Sequence, residues 1–297
     1  MKDWYNSYLF CVGTEKLYNS DMVLYYLHTY LRDKIKPINM LDENVRTDYK
    51  KLKFLITKAR KLNGNFRALR NLLEERDEEY EFVKSFSIKE IEDDNNFVSF
   101  LYYLGLITFN KKRGLFYNFI VPNRVIKKML WGFIEKSLKE AGGLEFDSSA
   151  YGKMFNRLGY DGELFPLLNY VFDRFYNAVS NRDFIYKEAG VKGFLLAFLN
   201  MSYLYKVSSE REENKGYIDI ILEPSLSLFD DMRPDNYIIE LKYITKEELD
   251  NKKTNMIEKY KNDAIKQLAR YEKNLIGKVH KIVIIAGSNK LYLIEEI

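Results

Sequence analysis

In the last third of this chain the apolar residues fall into short runs with polar breaks between them, the spacing of strands rather than helices. The runs cover 203–207, 216–222, 237–244, 281–286 and 291–294. A helical stretch at 187–201 precedes them, and a polar, Lys-, Asn- and Gln-rich helix at 254–274 separates the third from the fourth. The predicted order is αβββαββ. Residues 208–215 read as a loop or ragged strand end, and 224–236 as a hairpin connection. Four of the five strands are rich in Val, Ile and Leu, as expected for a sheet covered on both faces.

Upstream, the period is helical. Asn19-Ser20-Asp21 offers an N-cap before an apolar stretch that Pro37 closes, and 49–61 and 66–84 have further helical spacing. A compact pattern follows at 85–135. Ser87-Ile88-Lys89-Glu90 starts a short helix, and Asn96 to Leu104 forms another that Gly105 ends. Two strands, 106–109 and 115–120, are joined by a basic turn at Lys111-Lys112-Arg113-Gly114, and Val121-Pro122-Asn123 leads into a helix. Helices followed by a β-hairpin is the winged-helix order. Residues 136–180 are helical, broken at Gly142-Gly143 and Gly159. The chain therefore divides into a helical lid-like region at 1–84, a winged-helix-like module at 85–140, a helical connector at 141–182 and the αβββαββ domain at 183–297. The fold class is α+β.

Composition narrows the function. With 46 % hydrophobic residues there is enough apolar material for sizeable cores, and five prolines and 15 glycines argue against long disordered linkers. A single cysteine, Cys11, excludes an internal disulfide framework and fits a reducing cytosol. The N-terminus lacks a signal-peptide pattern, and no apolar run reaches the roughly 18 residues of a membrane span. A net charge of +4 permits nucleic-acid contact without demanding it. Lys111, Lys112 and Arg113 are candidate phosphate contacts, although such runs more often belong to solvated helix faces and loops.

Three charges are out of place on the strands. Asp219 is flanked by isoleucines, and Glu240 and Lys242 stand two apart within an apolar run, so they share one strand face. Charges on buried strands are paired or hold a metal. Two acids and a lysine converging across neighbouring strands would make a Mg²⁺ (or Mn²⁺) site for cutting phosphodiesters, with the backbone carbonyl of Leu241 as a third oxygen donor. The same residues also fit a structural acceptor at Asp219 and a solvated face at Glu240 and Lys242. His28 and His280 match no zinc spacing and read as structural, and Phe172, Phe175 and Tyr176 read as core.

The order of elements, with Asp219 followed by Glu240-Leu241-Lys242, resembles the PD-(D/E)XK nuclease superfamily. Gly216, three residues before Asp219, completes a G-x-x-D pattern, and Gln267-Leu268-Ala269-Arg270-Tyr271 is similar to the Q-x-x-x-Y element of RecB-like nucleases. The resemblance implies a restriction-endonuclease-like domain, Glu188 as an additional metal ligand, and Gln267 and Tyr271 lining the cleft. Over nearly its full length the chain also resembles a bacterial group in which an AAA-type ATPase module precedes such a nuclease. Trp4-Tyr5-Asn6-Ser7-Tyr8-Leu9-Phe10 is similar to that group's Trp-Tyr-x-Gly-Tyr-x-Phe segment, with Ser7 for glycine, and Tyr18-Asn19-Ser20 is similar to a second. No G-x-x-x-x-G-K-[ST] phosphate loop occurs, so ATP hydrolysis by this polypeptide is not expected.

Three functions follow: a metal-dependent nuclease acting on DNA ahead of RNA, a non-catalytic nucleic-acid- or protein-binding module, and an architectural part of a larger ATPase assembly. Oligomeric state, cut sequence and endo- versus exonuclease action are left open.

Overall fold

The computed structural model describes residues 2–37, 40, 57–58, 61–62, 64–142, 146–178, 188–213, 216–245, 247–248, 253–270 and 275–297. The chain splits into two compact units, Met1–Ala141 and Gly142–Ile297. The helices of 148–178 therefore share a unit with the C-terminal strands.

The first unit begins with α1 (Lys2–Tyr5) and α2 (Ser20–Asp33). Asn19 caps α2, its side chain accepting from the Met22 N–H at 3.1 Å. Ser7 lies between the two helices at φ +81, a left-handed conformation in which a β-carbon is disfavoured. Most of 49–61, expected to be helical, lies outside the described residues. Its described part forms a short antiparallel pair, β1 (Thr57–Lys58) with β2 (Lys61–Leu62).

The helix expected over 66–84 is α3 (Gly64–Leu73) and ends early. Glu75 turns left-handed at φ +59, and the chain re-emerges as β3 (Glu79–Glu81). After a 3₁₀ turn at Ile88–Glu90 come α4 (Asp94–Tyr103), β4 (Thr108–Arg113), β5 (Phe116–Ile120) and α5 (Arg124–Gly142). The sheet order is β3-β5-β4. Lys111, Lys112 and Arg113, expected in the turn, lie on β4 itself. The turn is Gly114-Leu115, with Gly114 at φ +62, as a two-residue hairpin of the II′ kind requires. β4 is an edge strand with its distal half in solvent, so a run of cations there needs no partners.

The second unit contains α6 (Ser148–Asn156), a π turn at Arg157–Asp161, α7 (Leu164–Ala178), α8 (Glu188–Leu199), β6 (Tyr205–Glu213), β7 (Gly216–Pro224), β8 (Asn236–Ile244), α9 (Lys253–Ala269), β9 (Val279–Gly287) and β10 (Leu291–Glu296). From α8 onward the order is αβββαββ. β6 runs through residues expected to form a loop, because its polar end pairs in register with β7 from Tyr205↔Pro224 to Glu213↔Gly216.

The five strands form one mixed sheet, β10-β9-β8-β7-β6, in which only β8 and β9 are parallel. Ile238, Ile244, Val283 and Ile285 pack with Ala264 and Leu268 of α9. The alternate residues Tyr237, Ile239, Leu241, Ile282 and Ile284 are equally buried, so both faces are covered. α8 packs against β6 and β8. Phe172 and Phe175 are core residues, and the Tyr176 hydroxyl donates to the Gly287 carbonyl at 3.0 Å. No helix among the described residues is long and apolar enough to cross a membrane.

Candidate active site

The site forms where two paired strands part. β7 and β8 pair at Leu222↔Tyr237, Ile221↔Ile238 and Ile220↔Ile239, and there the ladder ends. β8 stays in register with β9 beyond that point, through Glu240↔Val283 and Lys242↔Ile285. The fork therefore opens only on the β7 side. A backbone N–H at a fork loses its strand partner and must find another. The Leu241 N–H donates to Asp219 Oδ2 at 2.9 Å, so a side chain replaces the missing rung.

Asp219 Oδ1 accepts from Lys192 Nζ of α8, also at 2.9 Å. On β8, Lys242 Nζ donates to Glu240 Oε1 at 2.8 Å and to Gln267 Oε1 of α9. Side-chain exposure is 3 % for Glu240, 5 % for Lys192, 17 % for Asp219 and 19 % for Lys242. Glu240 and Lys242 are therefore not a solvated strand face.

Glu240 Oε2 is buried with no hydrogen-bond partner among the described residues. Burial, and then the charge of Asp219, push the Glu240 carboxyl up to about 7, while Lys242 and Lys192 pull the other way. A carboxylate with an orphan oxygen beside a second carboxylate is a set of hard donors that suits a Mg²⁺-like ion.

α9 brings the rest of the cleft. Ala264 and Leu268 anchor it to the sheet, which sets Gln267 against Lys242. A cavity of about 370 Å³ lies there, lined by Lys242, Tyr260, Asp263, Lys266, Gln267 and Arg270. The Tyr260 hydroxyl donates to Glu248 Oε1 at 2.7 Å. That bond, burial, and the charges of Glu248 and Glu188 raise its pKa.

The structure thus brings together Asp219, Glu240, Leu241, Lys242 and Gln267. Gly216 opens β7 opposite Glu213. Glu188 is exposed at the start of α8. Among the described residues no three His, Cys, Asp or Glu side chains converge on one point, so the carboxylates brought together are two, Asp219 and Glu240. Tyr271 lies outside the described residues. In the other unit, Lys111, Lys112 and Arg113 are exposed, with Arg113 3.1 Å from Glu79 and Lys112 over the Tyr117 ring. His28 is exposed on α2, whereas His280 is buried, hydrogen-bonded to Glu296 at 2.6 Å and stacked on Tyr237.

Lys192 was not foreseen. Its signal was a lone lysine one turn after Glu188 in an otherwise apolar helix. Such a residue, once buried, needs an acid nearby.

Residues 186–296 match the family model of the PD-(D/E)XK nuclease superfamily. The match covers the fork, both lysines and α9, and it points to phosphodiester hydrolysis of nucleic acid. No curated protein matches the chain.

Proposed function

We propose that this protein is a divalent-cation-dependent nuclease of the RecB-like kind, acting on DNA ahead of RNA, with Asp219, Glu240 and Lys242 as its catalytic residues. The observation that carries this reading is the carboxylate pair at the strand fork, buried Glu240 beside half-buried Asp219, with an orphan oxygen on Glu240 and an ammonium on the same strand face.

Asp219, Glu240 and the Leu241 carbonyl would hold Mg²⁺ or Mn²⁺, with Glu188 as a further ligand, directly or through water. When bound, the ion supplies a lowered pKa for water and neutralises charge on the phosphoryl oxygens. Lys242 orients the attacking water and stabilises negative charge on the phosphate. Gln267 accepts from Lys242 Nζ and so fixes where the ammonium points. Gln267, Lys266 and Arg270 present the cleft wall to the nucleic acid, and the resemblance to RecB-like nucleases assigns Tyr271 to the same role. Gly216 starts the strand on which Asp219 rides. In the first unit the winged-helix-like module, through Lys111, Lys112 and Arg113, supplies a second contact to phosphates. The resemblance to ATPase-linked nucleases makes an ATPase a candidate partner. The exposed, unpaired Cys11 suits a reducing cytosol.

A second reading, a binding module with a disused nuclease fold, has its own support: two lysines already balance the two carboxylates. Mg²⁺- or Mn²⁺-dependent cleavage of plasmid and single-stranded DNA separates the two readings. Lys242→Ala should lower the rate about 100-fold or more. Cleavage at the wild-type rate in that variant would overturn the assignment.

A further inference from the structure

Four charges meet at the fork, and they cancel within the protein. With both carboxyls ionised, Asp219 and Glu240 are negative, and each has its own ammonium, Lys192 at 2.9 Å and Lys242 at 2.8 Å. The two ammoniums are placed differently. Lys242 rides on the same strand as its acid and faces the cleft. Lys192 comes from α8 and is buried. Its ammonium occupies Asp219 Oδ1, while the Leu241 N–H occupies Oδ2. Each oxygen of the aspartate therefore has a donor supplied by the protein itself.

We propose that Lys192 is a built-in counter-cation for Asp219, a positioning residue that keeps the carboxylate aimed into the fork and weakens the hold of the free site on a divalent ion. The proposal rests on the metal-site reading above. A fixed ammonium within hydrogen-bond distance of a ligand oxygen repels an incoming dication, and the low-dielectric surroundings screen that repulsion poorly. The buried ammonium has no solvent at hand to take over its charge. The ion is therefore held well only when further negative charge enters the fork, and the phosphate of a bound nucleic acid is such a charge. Ion capture is in this way tied to substrate.

The test is calorimetric titration of Mn²⁺ and Ca²⁺ into the full chain without nucleic acid, at a pH of about 8, above the range in which Glu240 gains its proton. Lys192→Gln removes the charge but keeps an N–H that can donate to Asp219, and Lys192→Arg keeps the charge. The glutamine variant should bind either ion at least about tenfold more tightly than wild type, with the arginine variant close to wild type. If Lys192→Gln is too unstable to titrate, its melting midpoint across an ion series reads the same affinity, and the variant should gain more from the ion than wild type does. Wild-type binding that is unchanged or weaker in Lys192→Gln overturns the counter-cation role and leaves the metal site standing. No binding in any of the three proteins removes the metal site and this proposal together.

Discussion

The two units carry their cations in opposite ways. On β4, Lys111, Lys112 and Arg113 stand in solvent on an edge strand, and the pair from Arg113 to Glu79 is exposed. At the fork, Lys192 and Lys242 are mostly enclosed and each is committed to a carboxylate. An exposed pair contributes little to stability, because water and salt compete for both partners. A buried pair costs desolvation on both sides, so its loss on one side leaves an uncompensated charge. The hairpin cations are therefore free to serve a partner, whereas the fork cations are committed to the fold.

The sharpest way to break this contrast is Lys192→Met. It strips Asp219 of its buried ammonium and should lower the unfolding free energy by about 3 kcal/mol, the low end of the range for a broken buried pair, since Asp219 keeps the Leu241 N–H and some solvent access. Urea denaturation of the metal-free protein measures this. A loss no larger than that of a surface substitution would mean that the pair at 2.9 Å does not persist in solution.

The next effect is pH-dependent and comes from Glu240. Its folded-state carboxyl sits near 7 against an ordinary 4.5. The folded state therefore holds the proton more tightly than the unfolded chain. The resulting stabilisation is complete below pH 4.5 and is lost as pH rises through about 7. The metal-free protein should lose roughly 3 kcal/mol across that window, superposed on its other titrations. Glu240→Gln should flatten this component, and saturating Mg²⁺ should flatten it too, by holding the carboxylate ionised. Melting curves at a series of pH values, with and without the ion, would show it. Parallel profiles for wild type and Glu240→Gln would refute the raised pKa.

The same contrast marks what could be read from the sequence. The order αβββαββ and the placing of Asp219, Glu240 and Lys242 were legible because an isolated charge inside a strand run is costly, and so informative. Asn19 and Gly105 were legible because helix ends follow local rules; Gly105 takes φ +69 after α4. Lys192 was not, because its partner is 27 positions away and only the packing of α8 brings them together. The polar end of β6 was missed for a similar reason: its strand character comes from pairing with β7 rather than from its own residues. On the first unit's sheet, β3 looked helical locally and was recruited by β5 through Glu79↔Asn118 and Tyr80↔Tyr117.

The smallest effect on the fold is expected at the hairpin, where it is also the most telling about partners. Replacing Lys111, Lys112 and Arg113 together by glutamine removes three exposed charges and one exposed ion pair, so the melting midpoint should stay where it is. Nucleic-acid binding should behave otherwise. If these side chains lie on phosphates, a plot of log affinity against log salt should lose about two to three units of slope, and affinity should fall alike for unrelated sequences. Fluorescence anisotropy with labelled duplex and single-stranded DNA at several salt concentrations gives both quantities. An unchanged slope would mean that β4 keeps its cations for solubility or for a protein partner, and that nucleic-acid binding rests on the cleft beside α9, where Lys266 and Arg270 stand one helical turn apart.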